Sequence, residues 1–178
     1  MILAIIVACE VGFWVLILAG LIARYPLKMR RLGLVLLALT PVVDLILLAA
    51  TAIDLSRGST ATFAHGLAAI YLGISVSCGH KMIAWADTRF AHRFANGPAP
   101  MKRYGSAYTA ECWRDLVRTI IGVAIAAGAL WLLITISGDP QPSSTLSGMF
   151  NILGIIAAIE VIWATSYTLW PKKVPAAA

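Results

Sequence analysis

The chain holds 178 residues, of which 60% are hydrophobic and only 12% charged, and its mean hydropathy is +0.86. Soluble domains carry roughly 45–50% apolar and about 25% charged residues, so a water-soluble globule, a disordered chain and a disulfide scaffold are excluded. The excess of 14 Lys and Arg over 8 Asp and Glu comes without a basic stripe interleaved with stacking aromatics, so no nucleic-acid partner is expected. The expected surroundings are a lipid bilayer.

A membrane-spanning helix needs about 20 apolar residues, and five runs meet that length: 2–23, 33–53, 61–86, 115–137 and 146–169. The first has no cation ahead of it and no short core before a small-residue cleavage site. It reads as a retained span and not as a signal peptide. Arg24-Tyr25-Pro26 ends it, and Lys28, Arg30 and Arg31 precede the second run. A polar turn, Ser56-Arg57-Gly58-Ser59, separates the second run from the third. Pro140 and Pro142 separate the fourth from the fifth, because proline stops a helix and pushes its predecessor to an extended conformation. Trp170-Pro171-Lys172-Lys173 closes the last run with an interfacial aromatic and two cations.

The expected fold class is therefore all-α: one transmembrane domain over residues 1–178, a bundle of five membrane-spanning helices. Thirteen of the fourteen cations fall on one side of such a bundle and Arg57 alone on the other. The positive-inside rule then places the N-terminus outside and the C-terminus in the cytoplasm. The long connection, about 87–114, is broken at Asn96-Gly97-Pro98-Ala99-Pro100. Beyond that break Met101, Tyr104, Tyr108 and Cys112 share one helical face, which predicts a short amphipathic cytoplasmic helix between spans three and four. Small residues at Ala4, Ala8 and Gly12, at Gly66, Gly73 and Ser77, and at Gly122 and Ala126 offer faces on which helices approach closely. They suit the chain's own bundle or a homodimer equally. Cys9, Cys78 and Cys112 have no metal-like spacing and read as small buried hydrophobes.

Chemistry concentrates where polarity is costly. An acid at the bilayer centre costs about 2.5–3.5 kcal/mol on insertion scales, and Glu10, Asp44 and Glu160 all fall within spans. At 1.5 Å rise per residue, Glu10 lies roughly 12 Å and His65 roughly 7 Å below the outer surface, and Asp44 about 16 Å above the inner one. These three levels allow one outward-leaning polar pocket, with Glu160, roughly 20 Å from the outside, needing a partner of its own. Thr40, Asp44 and Thr51 share a helical stripe, and Pro41 frees the carbonyl of residue 37. An acid, hydroxyls and freed carbonyls suit a proton or small cation. Against this, the threonines can bond back to their own helix and Asp44 can rest on a neighbouring hydroxyl.

Other chemistries find less support. Paired axial histidines for haem are missing, as are HExxH, GxSxG and a phosphate-binding glycine loop. Zinc would find donors in Glu10, Asp44 and His65, but donors scattered over three spans make no ligand pattern. No metal is assigned, no cofactor is expected, and a non-enzyme is the expectation.

Several stretches are familiar together: Cys9-Glu10-Val11-Gly12-Phe13-Trp14, Leu39-Thr40-Pro41-Val42-Val43-Asp44-Leu45, Ala52-Ile53-Asp54-Leu55, Ala64-His65-Gly66-Leu67-Ala68-Ala69-Ile70-Tyr71, Trp85-Ala86-Asp87 and Trp170-Pro171-Lys172-Lys173. With them the chain resembles the small bacterial integral inner-membrane proteins of the YmcC type, a group with no established activity. The resemblance implies a multi-pass protein of a bacterial plasma membrane and transfers no catalytic residue. Two functions stay open. One is transport or conduction of a proton, cation or small solute through an acidic intramembrane site drawn from Glu10, Thr40, Asp44, Thr51, His65 and Glu160. The other is a non-catalytic accessory, assembly or sensor subunit beside a partner membrane protein. The buried acids favour the first.

Overall fold

The structure, a computed structural model, describes residues 2–94, 97–101, 103–137 and 144–173, without the side chains of residues 2, 3, 5, 6, 10, 30, 94 and 144. Every described element is an α-helix: α1 (Ile2–Arg24), α2 (Arg30–Ala38), α3 (Thr40–Ser56), α4 (Phe63–Phe94), α5 (Gly105–Ser137) and α6 (Ser144–Leu169). Five stretches among them are long and apolar enough to cross a membrane, because α2 and α3 together make one span, Arg31–Ser56.

The interruption at Leu39 follows from Pro41, which has no N–H for the carbonyl four residues back. Pro41 instead occupies the first turn of α3, where a missing donor costs nothing. The Leu39 carbonyl takes the amides of Val42 (3.0 Å) and Val43 (3.1 Å). Between α1 and α2, Pro26 ends the helix and Lys28 turns the backbone into the left-handed region at φ 56°. The Met29 amide then reaches back to the Ala23 carbonyl at 2.8 Å. Gly58, at φ 85°, makes the tight turn after α3, a conformation open to glycine at no steric cost.

Two helices run past the limits expected from hydropathy. At 1.5 Å per residue α4 is about 48 Å long and α5 about 50 Å, against a hydrocarbon core of about 30 Å. The stretch predicted as a separate amphipathic helix is, from Gly105 onward, the first three turns of α5. Hydropathy reports where water begins; it does not report where a helix stops hydrogen-bonding.

Packing is strongest between α4 and α5, α5 and α6, and α1 and α2, with α3 lying against α1, α4 and α5. The small-residue faces are used inside the bundle. A Cβ added at Gly73 would stand 2.9 Å from Ala126 Cβ and closer still to the Gly122 carbonyl, and one at Gly122 would collide with the Ser77 hydroxyl. On α1 and α2, a Cβ at Gly33 would meet the Gly20 carbonyl at 2.6 Å. In contrast, Gly12 has nothing within 4 Å of a Cβ. The core of the α3–α6 half is built from Leu55, Leu130, Leu133, Leu146 and Met149. Large apolar side chains such as Trp14, Leu18, Leu45, Trp131 and Ile162 face outward, an arrangement that suits lipid on the outside.

Candidate functional site

Asp44 sits on the buried stripe of α3 that also holds Thr40 and Thr51. Only 4% of it is exposed. Leu47, one turn on, packs with Cys9 of α1 and with Ala64 and Ala68 of α4, so α3 presents this face to both neighbours. The Ser75 side chain of α4 stands near the carboxyl. Oδ2 of the carboxyl is buried and has no hydrogen-bond partner among the described residues. An unpaired buried polar atom ordinarily costs about 1–3 kcal/mol, more when it carries charge. Such exceptions call for a proton, an ion or a water.

The two threonines of the stripe are turned away from Asp44. Thr40 Oγ1 donates to the Leu37 carbonyl (2.9 Å) and Thr51 Oγ1 to the Leu48 carbonyl (2.7 Å). The carbonyl that Pro41 frees is thus taken by the hydroxyl of the residue before it. The Glu10 side chain lies outside the described residues; its backbone is one position from Cys9 on α1.

His65 belongs to a different arrangement. Thr62 precedes α4, and its amide donates to His65 Nδ1 at 3.2 Å while its hydroxyl lies 2.7 Å from the same nitrogen. Histidine here fills the role that Glu or Gln takes in a capping box, three residues after the cap. With Nδ1 accepting, the proton sits on Nε2, which faces Asp54 Oδ2 at 3.3 Å. The ring is 1% exposed and Asp54 about a quarter exposed. Ten residues of α4, about 15 Å of rise, separate His65 from Ser75. The described side chains therefore place His65 and Asp44 in separate environments.

Glu160 lines a third place. A cleft of about 110 Å³ between α4, α5 and α6 is bordered by Ser77, Cys78, Thr119, Gly122 and Glu160. Ser75, beside Asp44, and Ser77, in the Glu160 cleft, are two residues apart on α4, about 3 Å of rise. The sequence signals Asp44 and Glu160 by their cost. It does not signal Ser75, Ser77 or Thr119, because hydroxyls are common in spans and only packing shows which acid they meet. Asp54 is the last acid of α3, and the six residues between α3 and α4 are few enough to bring it to His65.

The basic end of the bundle is braced. Arg24 Nη2 lies 2.7 Å from Asp87 Oδ2, and Tyr25 donates to Asp87 Oδ1 at 2.6 Å, tying α1 to α4. Asp115 of α5 takes both Lys81 of α4 and Arg118. Thr109 and Trp113 of α5 donate to the Tyr167 carbonyl and the Thr168 hydroxyl of α6 at 2.8 and 3.0 Å. Among the described residues no group of three His, Cys, Asp or Glu side chains is placed to hold a metal ion.

Five apolar helices, a buried acid at Asp44 and a braced basic end define a small multi-pass membrane protein. The chain is 44% identical over 174 residues to the uncharacterized membrane protein YmcC of Bacillus subtilis (strain 168), covering 97% of this chain and 94% of that one. It belongs to the YmcC family. No protein-family model matches the chain, and no solved structure matches it significantly.

Proposed function

We propose that the protein moves a proton or small cation across a bacterial plasma membrane, with Asp44 as the group that takes it up. The observation that carries this reading is the buried Asp44 Oδ2 with no partner among the described residues. A carboxyl deep in hydrocarbon is conserved in energy only when something neutralises or coordinates it, and such groups mark ion and proton pathways. Ser75 supplies a hydroxyl on one side, and Glu160, with Ser77 and Thr119, supplies a second polar step across α4. The helix break at Leu39 stands five residues from Asp44. It gives α3 a place to tilt without breaking its own ladder, and that motion would alternate access to the acid.

The test is flux through purified protein in liposomes, read with a pH-sensitive dye and a cation-sensitive dye. Wild type should carry flux that Asp44→Asn abolishes and Glu160→Gln slows. No flux above empty liposomes, or equal flux in Asp44→Asn, would overturn the reading.

A second reading, an accessory, assembly or sensor subunit, draws on the dispersal of His65, Asp44 and Glu160 over three environments. In that case the acids hold helices together or meet a partner span. Isolation in mild detergent would then recover a second membrane protein in stoichiometric amount, and a chain recovered alone would remove this reading.

A further inference from the structure

The last turns of α4 carry Arg89, His92 and Arg93 around a cavity of about 870 Å³ whose lining also includes Trp85, Pro100 and Met101. The guanidinium of Arg89 lies over the Trp85 ring, 4.1 Å from its centroid. Stacking of this kind fixes the plane of the cation and leaves its N–H edge free for a planar or tetrahedral anion. The His92 ring is anchored through Nδ1–H to the Gly97 carbonyl at 3.1 Å. What the cavity lacks is a counterion. Each described acid at this end of the bundle already has a cation: Asp87 holds Arg24, Asp115 holds Lys81 and Arg118, and Glu111 lies 3.6 Å from Arg103. No described carboxylate at this end is left for Arg89 or Arg93.

The surface leading to the cavity says where the missing anion comes from. Ile74, Cys78, Met82, Trp85 and Arg89 follow one another at spacings of four, four, three and four, which is a single face of α4. Ile74, Met82 and Trp85 are exposed along it, Trp85 at 58%, and Met101 beside the cavity is 94% exposed. Phe63–Arg93 is the stretch of this helix long and apolar enough to cross a membrane, and its apolar track ends at the cations, the order in which hydrocarbon gives way to headgroups. Free phosphate has no use for an apolar track, whereas an acyl chain does. We propose that this cavity binds the phosphate headgroup of an anionic phospholipid, with Arg89 and Arg93 on the phosphate and an acyl chain along the Met82–Trp85 face. This site is independent of the Asp44 reading and stands or falls without it.

The experiment uses the full chain purified in mild detergent and then exposed to phosphatidylglycerol, phosphatidylcholine or inorganic phosphate, with retained lipid read by native mass spectrometry. Wild type should retain phosphatidylglycerol over phosphatidylcholine, and inorganic phosphate should not displace it. The double variant Arg89→Gln/Arg93→Gln should lose that preference about tenfold, with helix content by circular dichroism unchanged. Lys173→Gln, a cation outside the cavity, should keep it. Equal retention of the two lipids, or an undiminished preference in the double variant, would overturn the site. Displacement by inorganic phosphate at matching concentration would overturn the lipid assignment.

Discussion

Asp44 and His65 are both buried polar side chains, yet their surroundings give them opposite expected responses to substitution. Asp44 has one oxygen without a partner among the described residues, so an apolar side chain of similar size removes a burden instead of a contact. Asp44→Leu should therefore leave thermal stability in detergent unchanged or raised, while removing any flux, a separation that melting curves and liposome assays on the same preparation would check. His65 closes the cap of α4 through Thr62 and reaches Asp54. His65→Ala should cost about 0.5–2 kcal/mol, within the range for a lost helix cap. His65→Gln, which still reaches the Thr62 amide, should recover part of that, and a melting temperature of the glutamine variant no higher than that of the alanine variant would contradict the capping role. Position along the helix axis is readable from the sequence for both residues, since it follows from counting along a helix. Azimuth is not: whether Asp44 meets Ser75 or His65 depends on how α3 and α4 are rotated against each other, and a periodic apolar pattern leaves that rotation open.

At the scale of the helix, small residues decide which faces meet. Gly73 and Gly122 bring α4 and α5 close enough that neither tolerates a Cβ without movement of its neighbour, whereas Gly12 has open space around it. Gly122→Leu should then destabilise the protein by about 1–3 kcal/mol through overpacking, and Gly12→Leu should be close to neutral. Thermal unfolding of the two variants side by side distinguishes an internal packing face from a lipid-facing one. Equal losses would mean that the Gly12 face is also covered, as it would be in a homodimer. The sequence displays both faces with the same small-xxx-small spacing, so it could not choose between them. The interruption at Leu39 was legible because Pro41 acts locally. The continuation of α5 back to Gly105 was not, because a charged, partly polar stretch can extend a helix into water as readily as begin a new one.

Across the whole molecule the two ends differ in kind. One end is built on ion pairs and aromatic braces linking α1 to α4, α4 to α5 and α5 to α6. The other carries Arg57 and the Asp54–His65 pair. Three carboxylates pair with Arg24, Lys81, Arg103 and Arg118 in the folded protein, but insertion precedes folding and acids weigh little in it, so all thirteen cations count toward orientation. The basic end should consequently face the cytoplasm. In a background without its native cysteines, Arg57→Cys should react with a membrane-impermeant thiol reagent in intact cells, and Lys173→Cys only after permeabilisation. The reverse pattern would invert the topology, and with it the direction in which an Asp44 pathway opens and the leaflet that supplies the Arg89 cavity. Because three apolar stretches, in α4, α5 and α6, lie between the two positions, the failure of one of them to cross would show as both positions labelling from the same side.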